Sequence, residues 1–79
     1  MKKPVFIAST KQVQQPNHKR IGKSIRNARL SAKLTQTDVA KAISVTTAYI
    51  SDLELGKRYW TEDLFNKVAR AIEQLKAAA

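Results

Sequence analysis

The chain has 79 residues, the length of one small domain, and its net charge of +9 makes an anionic partner the first expectation. It has no Cys and a single His, so no disulfide framework, thiolate metal site or self-sufficient zinc site is expected, and a reducing cytoplasm suits it. Its longest apolar runs, such as Val5-Phe6-Ile7-Ala8, are too short to cross a bilayer or drive export, so no membrane partner is expected. At this length a separate sensor domain is not expected either.

The charge is unevenly placed. Residues 1–20 carry Lys2, Lys3, Lys11, Lys19 and Arg20 with no acid, and residues 21–45 carry Lys23, Arg26, Arg29, Lys33 and Lys41 against Asp38 alone. From Thr46 onward, Lys57, Arg58, Lys67, Arg70 and Lys76 are balanced by Asp52, Glu54, Glu62, Asp63 and Glu73. A basic arm and first helix beside a neutral later segment suit a division of phosphate attraction from sequence reading, and charge alone fits Lys-rich segments that are simply solvated equally well.

Residues 1–16 read as a flexible basic arm, because Pro4 and Pro16 bracket a Ser/Thr/Gln/Lys-rich stretch without helical periodicity. Within it, Val5-Phe6-Ile7 could pair as a strand, dock on the body or meet a second subunit, and the sequence does not choose among these. Asn17 is a helix cap, and Ile21, Ile25 and Ala28 at helical spacing predict a first helix over about 18–32. Thr35, with Asp38 in the place of the usual Glu or Gln of a capping box, starts a second helix over about 36–42. Thr46 caps a third over about 47–55, and Gly56 stands where a left-handed residue ends it. Thr61 caps the last, with Glu62 and Asp63 opposing its dipole and Leu64, Phe65, Val68, Ala71, Ile72 and Leu75 on its apolar face. Residues 17–76 form the expected domain, and Ala77-Ala78-Ala79 a frayed tail. The expected core is Ile21, Ile25, Leu34, Val39, Ile43, Ile50, Leu53, Phe65, Val68 and Ile72. A core this modest leaves stability marginal, so dimerisation or a bound partner would add to it.

The stretch 36–55 carries the strongest signal. Val39, Ala40 and Ile43 stripe one short helix, Ile50 and Leu53 stripe the next, and Val45 lies in the turn, with the small Ala40 where two steeply crossing helices need one. With Gln36 as first position, the chain resembles the Cro/repressor-like helix-turn-helix family, which includes small phage repressors, from about Ile21 to Ile72. Ala40 falls on the family's Ala, and Val39, Ile43, Val45, Ile50 and Leu53 on its apolar positions; Thr35-Gln36 and Glu54-Leu55-Gly56 also fit. The turn position that usually holds Gly is Ser44, at a cost of about 1 kcal/mol if its φ is positive. The implied fold is all-α, a compact domain of four to five helices.

Because Ile50 and Leu53 face inward, Thr47, Ala48, Ser51 and Asp52 are left on the outer face, on positions that contact bases in the resembling family. Thr47 and Ala48 suit a thymine methyl, Ser51 donates or accepts, and Asp52 could accept from cytosine or instead orient a basic neighbour. The resemblance makes Gln36 a backbone anchor at the start of the second helix. Thr46, Lys57, Arg58 and Lys23 are the other expected phosphate contacts. Trp60 could plug the core beneath the last helix or donate its indole N–H to a phosphate, the plug being the preferred reading. Arg29 and Glu54 match the family's internal ion pair, which takes Arg29 out of the set of DNA contacts. His18 has no carboxylate or Cys partner nearby in sequence, no phosphate loop or paired-acid motif appears, and neither an enzyme nor a cofactor is expected; His18 reads as solvated.

The expected function is that of a sequence-specific, double-stranded-DNA-binding transcriptional regulator of the phage-repressor type, a cytoplasmic, nucleoid-associated homodimer on a two-fold symmetric operator. Its main rival is an antitoxin binding both a toxin protein and its own promoter. A membrane-surface peptide is disfavoured, because no helix sets a Lys/Arg face against a Trp/Phe/Leu face.

Overall fold

The computed structural model describes residues 17–78, within which the chain forms four helices and no strand: α1 (His18–Ser31), α2 (Gln36–Ala42), α3 (Thr47–Leu55) and α4 (Glu62–Ala78). The N-terminal arm, including Val5-Phe6-Ile7, lies outside the described residues. Each helix begins at a side-chain cap. Asn17 Oδ1 accepts the Arg20 N–H at 3.0 Å, Thr46 Oγ1 accepts the Tyr49 N–H at 3.0 Å, and Thr61 Oγ1 accepts the Leu64 N–H at 3.1 Å. At α2 the capping box is closed from both sides, Thr35 Oγ1 accepting from Asp38 N–H at 3.0 Å and Asp38 Oδ2 from Thr35 N–H at 2.9 Å. These bonds satisfy N–H groups that the first helical turn leaves without partners.

The first three helices end in one and the same way, a left-handed residue flanked by two crossing backbone bonds. After α1 it is Lys33, φ 60°, with Leu34 N–H on Arg29 O and Lys33 N–H on Leu30 O. After α2 it is Ser44, φ 61°, with Val45 N–H on Ala40 O and Ser44 N–H on Lys41 O. After α3 it is Gly56, φ 78°, with Lys57 N–H on Asp52 O and Gly56 N–H on Leu53 O. Only the third position carries the residue that adopts this conformation without a Cβ penalty. The left-handed Lys33 had no Gly or Asn signal in the sequence.

α1 and α2 both pack chiefly on α3, and α4 closes the bundle against α1 and α2. The core comprises Ile25, Val39, Ala40, Ile50, Leu53, Trp60, Val68 and Ile72, with Ile21, Leu34 and Ile43 only partly buried against it. Three expectations need correction. Phe65 is 38% exposed and meets the edge of Trp60 rather than the interior, at a centroid distance of 6.2 Å, because Trp60 already fills that space. Ala28 is exposed, since the inward stripe of α1 runs through Gly22, Ile25 and Arg29, a spacing of three and four residues that leaves position 28 outside. Ala77 and Ala78, read as a frayed tail, continue α4, as the high helix propensity of Ala allows.

Candidate nucleic-acid interface

α3 has two sharply different faces. Ile50 and Leu53 are fully buried, and Glu54 joins them inside; Thr47 and Ala48 are exposed, and Ser51 and Asp52 are half-buried. The short, small side chains at the start of α3 therefore stand on the surface of a helix whose other face is fixed in the core. Thr47 Oγ1 lies 3.2 Å from Thr37 Oγ1, so the outer faces of α2 and α3 meet through two hydroxyls. No local pattern in the sequence marks Thr37 for this contact.

Behind that surface lies a buried polar network. Arg29 donates to Glu54 in a two-pronged pair, Nε to Oε2 at 2.7 Å and Nη2 to Oε1 at 3.0 Å, and Nη1 donates to Leu34 O at 2.9 Å. Both side chains are nearly dry, at 8% and 2% exposure. The buried guanidinium thus ties α1 to α3 and to the α1–α2 turn. Gln36 Nε2 donates to Glu54 Oε1 at 3.1 Å, which connects the first residue of α2 to the same carboxylate. Gln36 is half-buried at the start of a helix whose capping box holds the Asp38 carboxyl below its usual range, chiefly through the Thr35 backbone N–H, then the Thr35 side chain and the nearby Lys41 charge.

The loop after α3 is fastened at both ends. At its start, Lys57 N–H bonds Asp52 O at 2.9 Å. At its end, Trp60 N–H donates to His18 Nδ1 at 2.9 Å, while the Trp60 indole Nε1–H donates to Leu53 O at 3.0 Å. Trp60 is buried and its indole donor is engaged inside, so it is a core plug and not a phosphate donor. His18 also stacks on Tyr59, with centroids 4.9 Å apart, so the reading of His18 as merely solvated is corrected: it clamps the loop to the start of α1. No sequence signal links positions 18 and 60, which lie 42 residues apart. Between these anchors Lys57, Arg58 and Tyr59 are exposed, Tyr59 at 82%. Arg58 lies 3.5 Å from Asp52 and 5.6 Å from the Tyr49 ring centroid. Thr46 and Lys23 are exposed, Thr46 at the cap of α3 and Lys23 on α1.

This arrangement, two short helices joined by a tight turn with the second presenting a polar outer face beside cationic loops, defines a helix-turn-helix DNA-binding domain. The helix-turn-helix family model matches residues 25–75, and the chain belongs to that family of Cro/repressor-like DNA-binding regulators. Among solved structures, the crystal structure of the clp gene regulator ClgR from C. glutamicum is similar, with a TM-score of 0.71 and 24% identity over 82% of this chain and 92% of that one. At that identity the likeness is one of fold. No curated protein matches. Among the described residues no helix is long and apolar enough to cross a membrane.

Proposed function

We propose that the chain is a sequence-specific transcriptional regulator of the phage-repressor type that lays α3 in the major groove as a homodimer on a two-fold symmetric operator, in the cytoplasm at the nucleoid. The observation that carries this reading is the division of α3: Ile50, Leu53 and Glu54 are locked inside, while Thr47, Ala48 and Ser51 stand outward on a rigid backing. Thr47 and Ala48 offer methyl surface to thymine, and Ser51 a hydroxyl able to donate or accept. Gln36 and Thr46 at the helix starts, Lys23 on α1, and Lys57 and Arg58 in the following loop contact phosphates on either side of the read bases. In this reading residues 17–76 form the DNA-binding domain and the basic arm, 1–16, adds phosphate attraction.

The reading is tested by selecting bound duplexes from a random DNA pool. It predicts a defined site with two inverted half-sites about one helical turn apart and binding of two chains per site. Binding of all duplexes alike contradicts it, and tight co-purification with a small protein partner would favour the antitoxin alternative.

A further inference from the structure

We propose that Asp52 reads no base but positions Arg58, holding its guanidinium beside the Tyr49 ring for contact with a DNA phosphate; this rests on the DNA-binding reading above. Tyr49 and Asp52 are three residues apart on α3, so they share a face of the helix. Arg58 comes back over that face from the loop: its Nε is 3.5 Å from Asp52 Oδ2, and its Cζ is 5.6 Å from the Tyr49 ring centroid. The Tyr49 side chain is itself packed against the core, which makes the platform firm. Asp52 holds the loop twice, since its carbonyl accepts the Lys57 N–H at 2.9 Å while its carboxylate faces Arg58. The far end of the loop is fixed by the Trp60–His18 bond and the Tyr59–His18 stack, so Arg58 projects from a segment anchored on both sides.

The edge of Arg58 nearest Asp52 is Nε, and the side chain is 57% exposed, so the terminal nitrogens keep access to a phosphate. A bare carboxylate at this position would repel the DNA backbone; one facing a guanidinium aims a cation at it. An exposed pair of this kind adds little to stability, so its consequence lies in where Arg58 points.

The experiment compares Asp52→Asn, Arg58→Ala and the double variant, in the full chain, on the selected site and on a random duplex across a range of salt, with melting curves taken without DNA. Arg58→Ala is expected to weaken binding to both duplexes and to lower the slope of log K against log salt by about 0.9. Asp52→Asn, although it removes a negative charge, is expected to weaken binding in the same sense, with no change in the preferred site and an unchanged melt. In the Arg58→Ala background it is expected to weaken binding no further. Unchanged or raised affinity for Asp52→Asn overturns the proposal, as does a changed site preference in the Arg58→Ala background, which would make Asp52 a base reader. If Asp52→Asn lowers the melting temperature, the comparison is made with Asp52→Glu, which keeps the charge and is expected to retain the parent salt slope; loss of that slope counts against the proposal. A parent chain that binds both duplexes alike refutes the sequence-specific reading, while the Asp52–Arg58 comparison can still be made on either duplex.

Discussion

Gly22 on α1 lies directly against the backbone carbonyl of Leu53 on α3: a Cβ at position 22 would stand 2.3 Å from Leu53 O and 2.5 Å from Glu54 O. Neither oxygen can move aside as a side-chain tip would, so α1 would have to retreat from the helix that carries the candidate reading face. Gly22→Ala is expected to destabilise the domain by about 3 kcal/mol, the upper range for overpacking, despite the better helix propensity of Ala. A urea or thermal melt checks this, and a variant as stable as the parent would mean that the two helices are not in this contact.

The buried pair behind α3 predicts a second stability effect. Arg29→Ala leaves the Glu54 carboxylate dry with only the Gln36 amide, and Glu54→Ala leaves a dry guanidinium with only the Leu34 carbonyl. Each single change is expected to cost about 3–5 kcal/mol, and the double variant much less than the two added together. Melts of the three variants without DNA measure the coupling. Parent-like melting of Arg29→Ala together with weak DNA binding would make Arg29 a phosphate contact.

Left-handed Lys33 and Ser44 predict a gain. Ser44→Gly removes the Cβ strain of φ 61°, partly offset by the greater freedom Gly has when unfolded, and is expected to stabilise the chain by up to about 1 kcal/mol. Lys33→Gly, at φ 60°, is expected to act in the same direction. Gly56→Ala should do the reverse and more strongly, because its Cβ would also stand 2.6 Å from Lys19 Cα. Chemical denaturation of the three variants gives the order.

Asp38 predicts an acid dependence. Its carboxyl is held below the ordinary value of 3.8 in the folded chain by the Thr35 N–H and hydroxyl and by Lys41, so its contribution is present in full above that value. It is lost as pH falls through the lower folded value. The melting temperature of Asp38→Ala should therefore lie below that of the parent at neutral pH and converge with it in acid. A gap independent of pH would mean that the Asp38 charge plays no part in the capping box.

Helix positions were readable in the sequence because four polar caps, Asn17, Thr35, Thr46 and Thr61, each precede an apolar periodicity. The helix-turn-helix itself was readable because Val39, Ala40, Ile43, Ile50 and Leu53 must share one small interface. What escaped depends on contacts between distant segments. Gly22 looks like an unhelpful helix residue until α3 is laid across it. His18 looks idle until the loop end brings the Trp60 N–H to its ring, and Phe65 looks like core until Trp60 occupies the space. At the candidate site, Thr47, Ala48 and Ser51 followed from inward Ile50 and Leu53, whereas the placing of Arg58 between Asp52 and Tyr49 depends on the path of a loop that local sequence does not set.

Base reading by the outer face of α3 is tested by a binding-site selection run in parallel on the parent and on Thr47→Gln and Ser51→Gln, each shown by circular dichroism to be folded. Both side chains lie outside the core, so the fold should survive. Each variant is expected to select a site changed at one or two symmetry-related base pairs. Each is also expected to bind the parent site about 1–3 kcal/mol more weakly per lost base contact, with an unaltered salt slope. Folded variants that select the same site as the parent would remove α3 from sequence reading.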